Sequence, residues 1–226
     1  MPNILSIETS TSVCSVAIHN DNSLLASLEV HQEYSHASKL GLLVQQAIVL
    51  ADLLPFQINA IAVSSGPGSY TGLRIGTSLA KGFCHALDVP LIAVPTLQLM
   101  AKMVSISNSE DAFLCPMIDA RRMEVYCQIF DNNLKEKGPV QAKIIDERSF
   151  ESYLDEKPVI FFGNGAMKCK GVIQHRNAKF LDNLSPLASR MGALAHSRLR
   201  EGKVENLSQF VPLYLKEFFI KKPIEV

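Results

Sequence analysis

The two halves of the chain repeat one order of segments, and this repeat constrains the fold more strongly than any other sequence feature. In the first half, an apolar segment ends in Glu8 and is followed by VCSVAIH and the turn NDN. In the second half, an apolar segment ends in Asp119 and is followed by MEVYCQIF and the turn DNN. The acid precedes the turn residue by twelve positions in both halves, at Asn20 and at Asp131. Such self-similarity predicts an internal duplication with a shorter second copy, and chance similarity of two α/β halves is the alternative.

Short apolar runs alternate with segments of helical period, which predicts an α/β fold with mixed sheets flanked by helices. The pattern predicts a first helix over 35–54 and a second over about 73–87. The core stripe of the first helix consists of Leu40, Leu43, Val44, Ala47, Ala51 and Leu54. The polar segment SISNSED divides a first domain, 1–107, from a second, 108–226, of which a helix can pack back on the first. Two such copies, each opening with a strand that ends in an acid, indicate the actin and sugar-kinase architecture, a ribonuclease-H-like (ASKHA) fold.

Composition limits the classes of function. Hydrophobic residues make up 47% of the chain, and 22 basic residues balance 22 acidic ones. A free-standing nucleic-acid binder usually carries a basic excess, so we expect any RNA contact to be local or shared with a partner. The odd count of five cysteines without a CxxC predicts reduced thiols in a cytoplasmic protein. We expect neither a signal peptide nor a membrane span, because no apolar run reaches about 18 residues.

The segment SSGPGSYTGLRIG, residues 64–76, supports two interpretations. A glycine turn at a helix start directs free N–H groups at one point and can hold a phosphate or nucleotide. The candidate residues for this role are Ser65, Gly66, Gly68, Ser69 and Thr71. The spacing matches neither a Walker loop nor GxGxxG, and a ridge without large side chains, Gly72, Gly76 and Ala80, favours close helix packing instead.

The first predicted helix has apolar residues on two sides. Leu42, Val49 and Leu53 form a second stripe opposite the core stripe, and a helix of this kind is covered on both sides. The covering layer is either the second domain or a partner chain. Two consecutive helices share the feature, which favours a partner interface formed by this stripe and the small-residue ridge.

Catalytic motifs are absent from the sequence. It holds no HExxH and no G-x-S-x-G, so we expect no metal site and no serine triad. The run Glu8–Ser12 has hydroxyls but lacks the glycine that lets a backbone approach phosphates. Glu8 and Asp119 are alternatively residues that fix turns at strand ends. Arg121 and Arg122 are candidates for contact with a phosphate or an RNA backbone, or belong to a solvated turn. Further basic candidates for RNA are Lys168, Lys170, His175, Arg176, Lys179, Lys216, Lys221 and Lys222.

Four segments in order, ILSIETSTSVCSVAI, SSGPGSYTGLRIGTSLAKG, PMIDARRMEVY and VPLYLKE, resemble the TsaB (YeaZ) family along the whole chain. A mild departure is Glu8, where chains of this family often have Asp. The resemblance implies a duplicated actin-like fold and a non-catalytic scaffold in tRNA threonylcarbamoyladenosine synthesis. It further implies a homodimer when alone and pairing with the transferase TsaD through first-domain helices. The ATPase TsaE completes the set.

The resemblance also implies that tRNA is met only through this complex. We expect no tightly bound cofactor, and ATP or ADP is a candidate ligand at the junction with TsaD. The alternative function is a small ATP-binding phosphotransferase or ATPase that uses the loop Ser64–Thr71 and the Glu8 hairpin.

Overall fold

The computed structural model describes residues 1–21, 23–33, 35–106 and 110–216, and its first half forms a five-stranded mixed sheet. The strands are β1 (Asn3–Glu8), β2 (Cys14–Asn20), β3 (Ser23–Val30), β4 (Ala60–Ser64) and β5 (Leu91–Val94). Their order is β3-β2-β1-β4-β5. Strands β1, β2 and β3 form an antiparallel meander, whereas β1, β4 and β5 run parallel.

A second five-stranded sheet repeats this topology. Its strands are β6 (Phe113–Asp119), β7 (Glu124–Cys127), β8 (Gln141–Ile144), β9 (Val159–Phe162) and β10 (Ala178–Leu181). The order β10-β9-β6-β7-β8 has the antiparallel and parallel pairs of the first sheet, with β6 in the position of β1. The repeated connectivity confirms the duplication, because chance similarity would not reproduce both the order and the directions.

The helices are α1 (His36–Leu50), α2 (Tyr70–Leu87), α3 (Thr96–Ser105), α4 (Glu151–Glu156) and α5 (Gly192–Arg200). Helices α1 and α2 pack on the first sheet and share a core with it. Helix α5 comes from the second half of the sequence but lies against β1 and β5, in a cluster that includes Ile4, Ile92 and Ala195. Helix α3 comes from the first half, and its Met100 packs with Phe162 of the second sheet. Each half therefore contributes a helix to the other sheet.

Helix α1 is shorter than the sequence predicts. It ends at Leu50, and Pro55 opens a short 3₁₀ turn shortly afterwards. Leu54 lies beyond the helix and is 56% exposed, so its assignment to the core stripe was wrong. Leu53 also lies beyond the helix and is half-buried against the core. Among the described residues, no helix is long and apolar enough to cross a bilayer.

The small-residue ridge of α2 faces inward, so its assignment to a partner interface was wrong. Gly72, Gly76 and Ala80 are all buried within the first domain. A side chain on Gly72 would collide with the carbonyl oxygen of Thr9, and one on Gly76 would collide with the Thr9 hydroxyl. The ridge thus admits the backbone of the β1–β2 hairpin of the same chain.

Replacing Gly72 by Ala should lower the free energy of unfolding by about 1–3 kcal/mol, because the Thr9 backbone must move to admit a methyl group. Gly82→Ala, on the same helix, is the matched control. Beyond the adjoining residues and the backbone of the helix itself, no atom of the described residues lies within 4 Å of a side chain added there, so this change should stabilise the protein by about 0.5–1 kcal/mol. Urea denaturation followed by circular dichroism measures both. Equal effects of the two substitutions would contradict the inward packing of the ridge.

Candidate functional site

The carboxyl ends of the parallel strands are where open α/β sheets usually bind ligands. In the first sheet, β1 leads into the hairpin that starts at Thr9, and β4 leads into the glycine loop, which we define as residues 65–69. In the second sheet, β6 ends at Asp119 and β9 leads into Gly163. These four loops are the candidate site for a ligand within the chain.

Glu8 is fully buried at the end of β1. Its Oε1 accepts a hydrogen bond from the Ser10 amide at 2.6 Å, whereas its Oε2 has no partner among the described residues. Burial raises the pKa of Glu8 from its ordinary value of 4.5 to about 7, against the opposing effect of its hydrogen bonds. The carboxyl therefore fixes the hairpin turn and does not face solvent.

Buried hydroxyls surround this carboxyl. Side-chain oxygens of four neighbours have no hydrogen-bond partner within the described part of the chain; they belong to Ser6, Thr9, Ser10 and Thr11. Buried polar groups of this kind usually find a partner, commonly ordered water. The hairpin thus keeps the hydroxyls that the sequence showed, but those of Thr9, Ser10 and Thr11 are turned away from the surface and that of Ser12 is exposed.

The glycine loop is packed against other parts of the chain. The Ser69 amide donates to the Ser10 carbonyl at 2.7 Å, and a side chain on Gly68 would collide with the same carbonyl. The Gly66 carbonyl accepts from the Thr96 amide at 3.0 Å, with Gly66 at a φ of 94°. The Ser65 carbonyl accepts from the amide of Leu213 at 2.7 Å.

The side chain of Ser69 caps α2. Its hydroxyl accepts from the Gly72 amide at 3.2 Å, so one helix N–H group is occupied by protein. Of the five residues considered for a phosphate, Ser69 and Thr71 are exposed. The structure brings the loop and the hairpin into contact, and a phosphate or nucleotide role for them stays a prediction.

Asp119, the counterpart of Glu8, is neutralised by an ion pair. Its Oδ1 accepts from the Lys168 ammonium and, at 2.9 Å, from the Arg121 amide. The ammonium also donates to the carbonyls of Arg122 and Glu124 at 2.7 Å. Sequence analysis missed this pair, because the two residues are 49 positions apart and Lys168 was assigned to RNA.

Other basic residues of the second half also have acidic neighbours. Lys179 pairs with Glu110, and Lys216 pairs with Glu124. Arg121 and Arg122 are exposed in a tight turn with positive φ at both residues. Lys221 and Lys222 lie outside the described residues. No group of three or more His, Cys, Asp or Glu side chains that could hold a metal occurs in the described part of the chain.

The outer face of α1 carries apolar side chains. Leu42 is 52% exposed and Val49 is 60% exposed, and Leu50 next to them is equally open. Beside them, a groove of about 470 Å³ runs between α1 and α2. It is lined by Ala37, Leu40, Gly41, Arg74, Ile75, Ser78 and Leu79. We call the exposed side of α1 and this groove together the α1–α2 face; Arg74 is the one charged residue that lines the groove among the described residues.

The duplicated mixed sheets with flanking helices define the actin-like (ASKHA) class of fold. The family model described as "TsaD: tRNA N6-adenosine threonylcarbamoyltransferase" matches residues 28–222. The tRNA threonylcarbamoyladenosine biosynthesis protein TsaB of Escherichia coli is 30% identical over 94% of this chain and 94% of its own length. TsaB of Bacillus subtilis is 29% identical over 76% of this chain and 75% of its own.

A crystal structure from Pseudomonas aeruginosa, of a protein described as similar to peptidase YeaZ, has a TM-score of 0.84. It is 25% identical and covers 96% of this chain and 100% of its own. The chain belongs to the TsaB (YeaZ) family of tRNA threonylcarbamoyladenosine biosynthesis proteins. The family and the fold class that the sequence predicted are both confirmed.

The burial of Glu8 makes stability depend on pH. The carboxyl is protonated to a higher pH in the folded chain than in the unfolded one, so its contribution is complete below the unfolded pKa. That contribution is lost as the pH rises through about 7. Glu8→Gln keeps an acceptor for the Ser10 amide without a charge, and should be more stable than the parent at pH 8 by roughly 3 kcal/mol at most.

Denaturant unfolding at pH 4, 6 and 8 measures this difference, which should grow with pH. Ser12→Ala, an exposed change in the same hairpin, should keep the slope of the parent. A constant difference between parent and Glu8→Gln across this range would show that folding does not shift the pKa of Glu8.

Proposed function

We propose that this chain is a non-catalytic scaffold in tRNA threonylcarbamoyladenosine synthesis, and that its α1–α2 face binds the transferase TsaD. The observation that carries the proposal is the exposed apolar side of α1, with Leu42 and Val49 more than half exposed. Apolar patches on a soluble domain commonly mark protein–protein contacts. The family membership supports the pathway, because the relatives are named for this biosynthesis.

The shape of the α1–α2 face suits a helix. Leu42 and Val49 are seven residues apart, two turns of α1, so they form one row along the helix axis. The groove beside them can accept a side chain of the partner, as interface cores do. The same face would serve a second copy of this chain, because a two-fold contact uses one patch on both subunits. TsaD and the homodimer should therefore compete.

The strand-end loops support a non-catalytic role. Glu8 is buried, and Asp119 is neutralised by Lys168. The glycine loop uses backbone groups of Ser69 and Ser65 for contacts within the chain. A catalytic acid or a phosphate-binding amide must reach its substrate, and these groups bind protein instead.

The charge distribution favours indirect contact with tRNA. The chain has a net charge of zero, and three lysines of the second half pair with carboxylates. Phosphate contacts need unpaired cations, so we propose that tRNA is met only through the complex that TsaD and TsaE complete. A site for ATP or ADP at the junction with TsaD is part of the same proposal. TsaD would supply the hydrogen-bonding groups for the nucleotide, because the loop groups of this chain already bond within the chain.

The double variant Leu42→Asp, Val49→Asp should neither dimerise nor bind TsaD. Two carboxylates would have to be desolvated in an apolar contact, which should weaken the association at least ~100-fold. Multi-angle light scattering at several concentrations, of the chain alone and with a bacterial TsaD, measures both complexes. The parent should give a dimer that is replaced by a one-to-one heterodimer.

Ile144→Asp is the matched control, because Ile144 is 73% exposed on β8 of the second sheet. This variant should associate like the parent. Binding of TsaD by the double variant at parental concentrations would refute the assignment of the face. ATP turnover by the isolated chain would refute the non-catalytic role and support the phosphotransferase alternative.

A further inference from the structure

The last described residues cross from the first domain to the second. We call residues 210–216 the strap. Phe210 packs on the first core, and the Leu213 amide donates to the Ser65 carbonyl at 2.7 Å. Lys216 then forms an ion pair with Glu124 of β7 in the second sheet. The strap is therefore tied to the first domain at one end and to the second at the other.

An aromatic contact holds the middle of the strap. The ring centroids of Tyr214 and Tyr70 are 4.7 Å apart with the planes tilted by 47°. Tyr70 is the first residue of α2, directly after the glycine loop. Aromatic pairs at this distance add measurable stability beyond the area that they bury. The Tyr70 ring thus helps to hold the strap in place.

Arg74 connects this contact to the α1–α2 face. Its Nη1 donates to the Tyr70 hydroxyl at 3.2 Å, and its guanidinium carbon lies 5.4 Å from the centre of the Tyr70 ring. The same side chain lines the groove between α1 and α2. One arginine therefore contacts both the proposed docking groove and the tyrosine on which the strap rests.

We propose that Arg74, Tyr70 and Tyr214 couple the α1–α2 face to the strap, and that a partner carboxylate which takes Arg74 loosens the strap between the two domains. The coupling rests on the proposed function, since it adds the chemistry of the docking partner and its effect. A guanidinium forms two parallel, charge-assisted hydrogen bonds with a carboxylate, which are stronger than one bond to a neutral phenol. A bound carboxylate would thus draw Arg74 from Tyr70.

The consequence is a shift between two states of the strap. A ligand moves such an equilibrium only by its differential affinity for the two states. Here the difference arises because a carboxylate bound in the groove would hold the guanidinium there, away from its present place over the Tyr70 ring. Tyr214 then packs on a Tyr70 ring that is held less firmly. The hydrogen bond from the Leu213 amide to the Ser65 carbonyl therefore breaks more often. The link between the domains weakens without any contact between the partner and the strap.

Hydrogen exchange of the Leu213 amide in the isolated, full-length chain tests the first half of this coupling. Tyr214→Ala should raise the exchange rate on the order of tenfold, since the ring contact is lost. Tyr214→Phe keeps the ring and should stay close to the parent. Arg74→Ala should raise the rate severalfold, whereas Lys81→Ala, which removes a cation two turns further along α2, should not.

The second half of the coupling is tested by adding TsaD to the parent chain and to the Arg74→Ala chain. Binding to the parent should speed Leu213 exchange, and the Arg74→Ala chain should show no further increase on binding. An Arg74→Ala chain with parental exchange would overturn the coupling whether or not TsaD binds. TsaD that binds the parent and leaves Leu213 exchange unchanged or slower would overturn the release by a partner.

Failure of the docking hypothesis has a different signature. If TsaD does not bind the parent in light scattering, the proposed function is wrong, yet exchange in the isolated variants still decides whether Arg74 supports the strap. A swap of charges, Lys216→Glu with Glu124→Lys, tests whether the ion pair with the second sheet holds the far end of the strap. Lys216→Glu alone should raise Leu213 exchange and the swap should restore it; equal exchange in all three chains would show that the second domain does not hold the strap.

Discussion

The close approach of the β1–β2 hairpin to the start of α2 is the contact on which the first domain depends. The Ser10 carbonyl accepts from the Ser69 amide, and Gly72 leaves room for the Thr9 backbone. Together these contacts fix the exit of β1, the glycine loop after β4 and the first turn of α2. The fixed start of α2 then sets the position of Tyr70 and Arg74, and so of the strap and the groove.

The repeated order of segments was enough to predict both sheets, because the duplication of strands and turns is written in the periodicity of apolar residues. The direction in which a helix faces was harder to predict. A row of small residues such as Gly72 and Gly76 indicates close approach but does not identify what approaches, and here it is the chain's own hairpin. The end of α1 was missed because the apolar pattern continues to Leu54 past the residue where the helix stops.

The candidate site shows how duplicated positions diverge. Glu8 and Asp119 end equivalent strands, yet burial keeps the first neutral to higher pH and an ammonium from Lys168 neutralises the second. Sequence analysis could align the two acids but could not predict that one is buried and the other paired with a lysine, since each environment depends on residues far away along the chain. Exposure of Leu42 and Val49, by contrast, follows from their spacing on α1, and was predictable from one helix alone.

These features together favour the proposed contact at α1 over a ligand site at the strand ends. Where an actin-like fold has its ligand loops, this chain uses loop backbone for internal contacts with the hairpin and the strap. A loop that is already satisfied gains little from a ligand, because each new hydrogen bond replaces an existing one. An apolar helix face gains most when a partner covers it, since burial removes it from water. The chain therefore has more to gain from a protein at α1 than from a small molecule at the glycine loop.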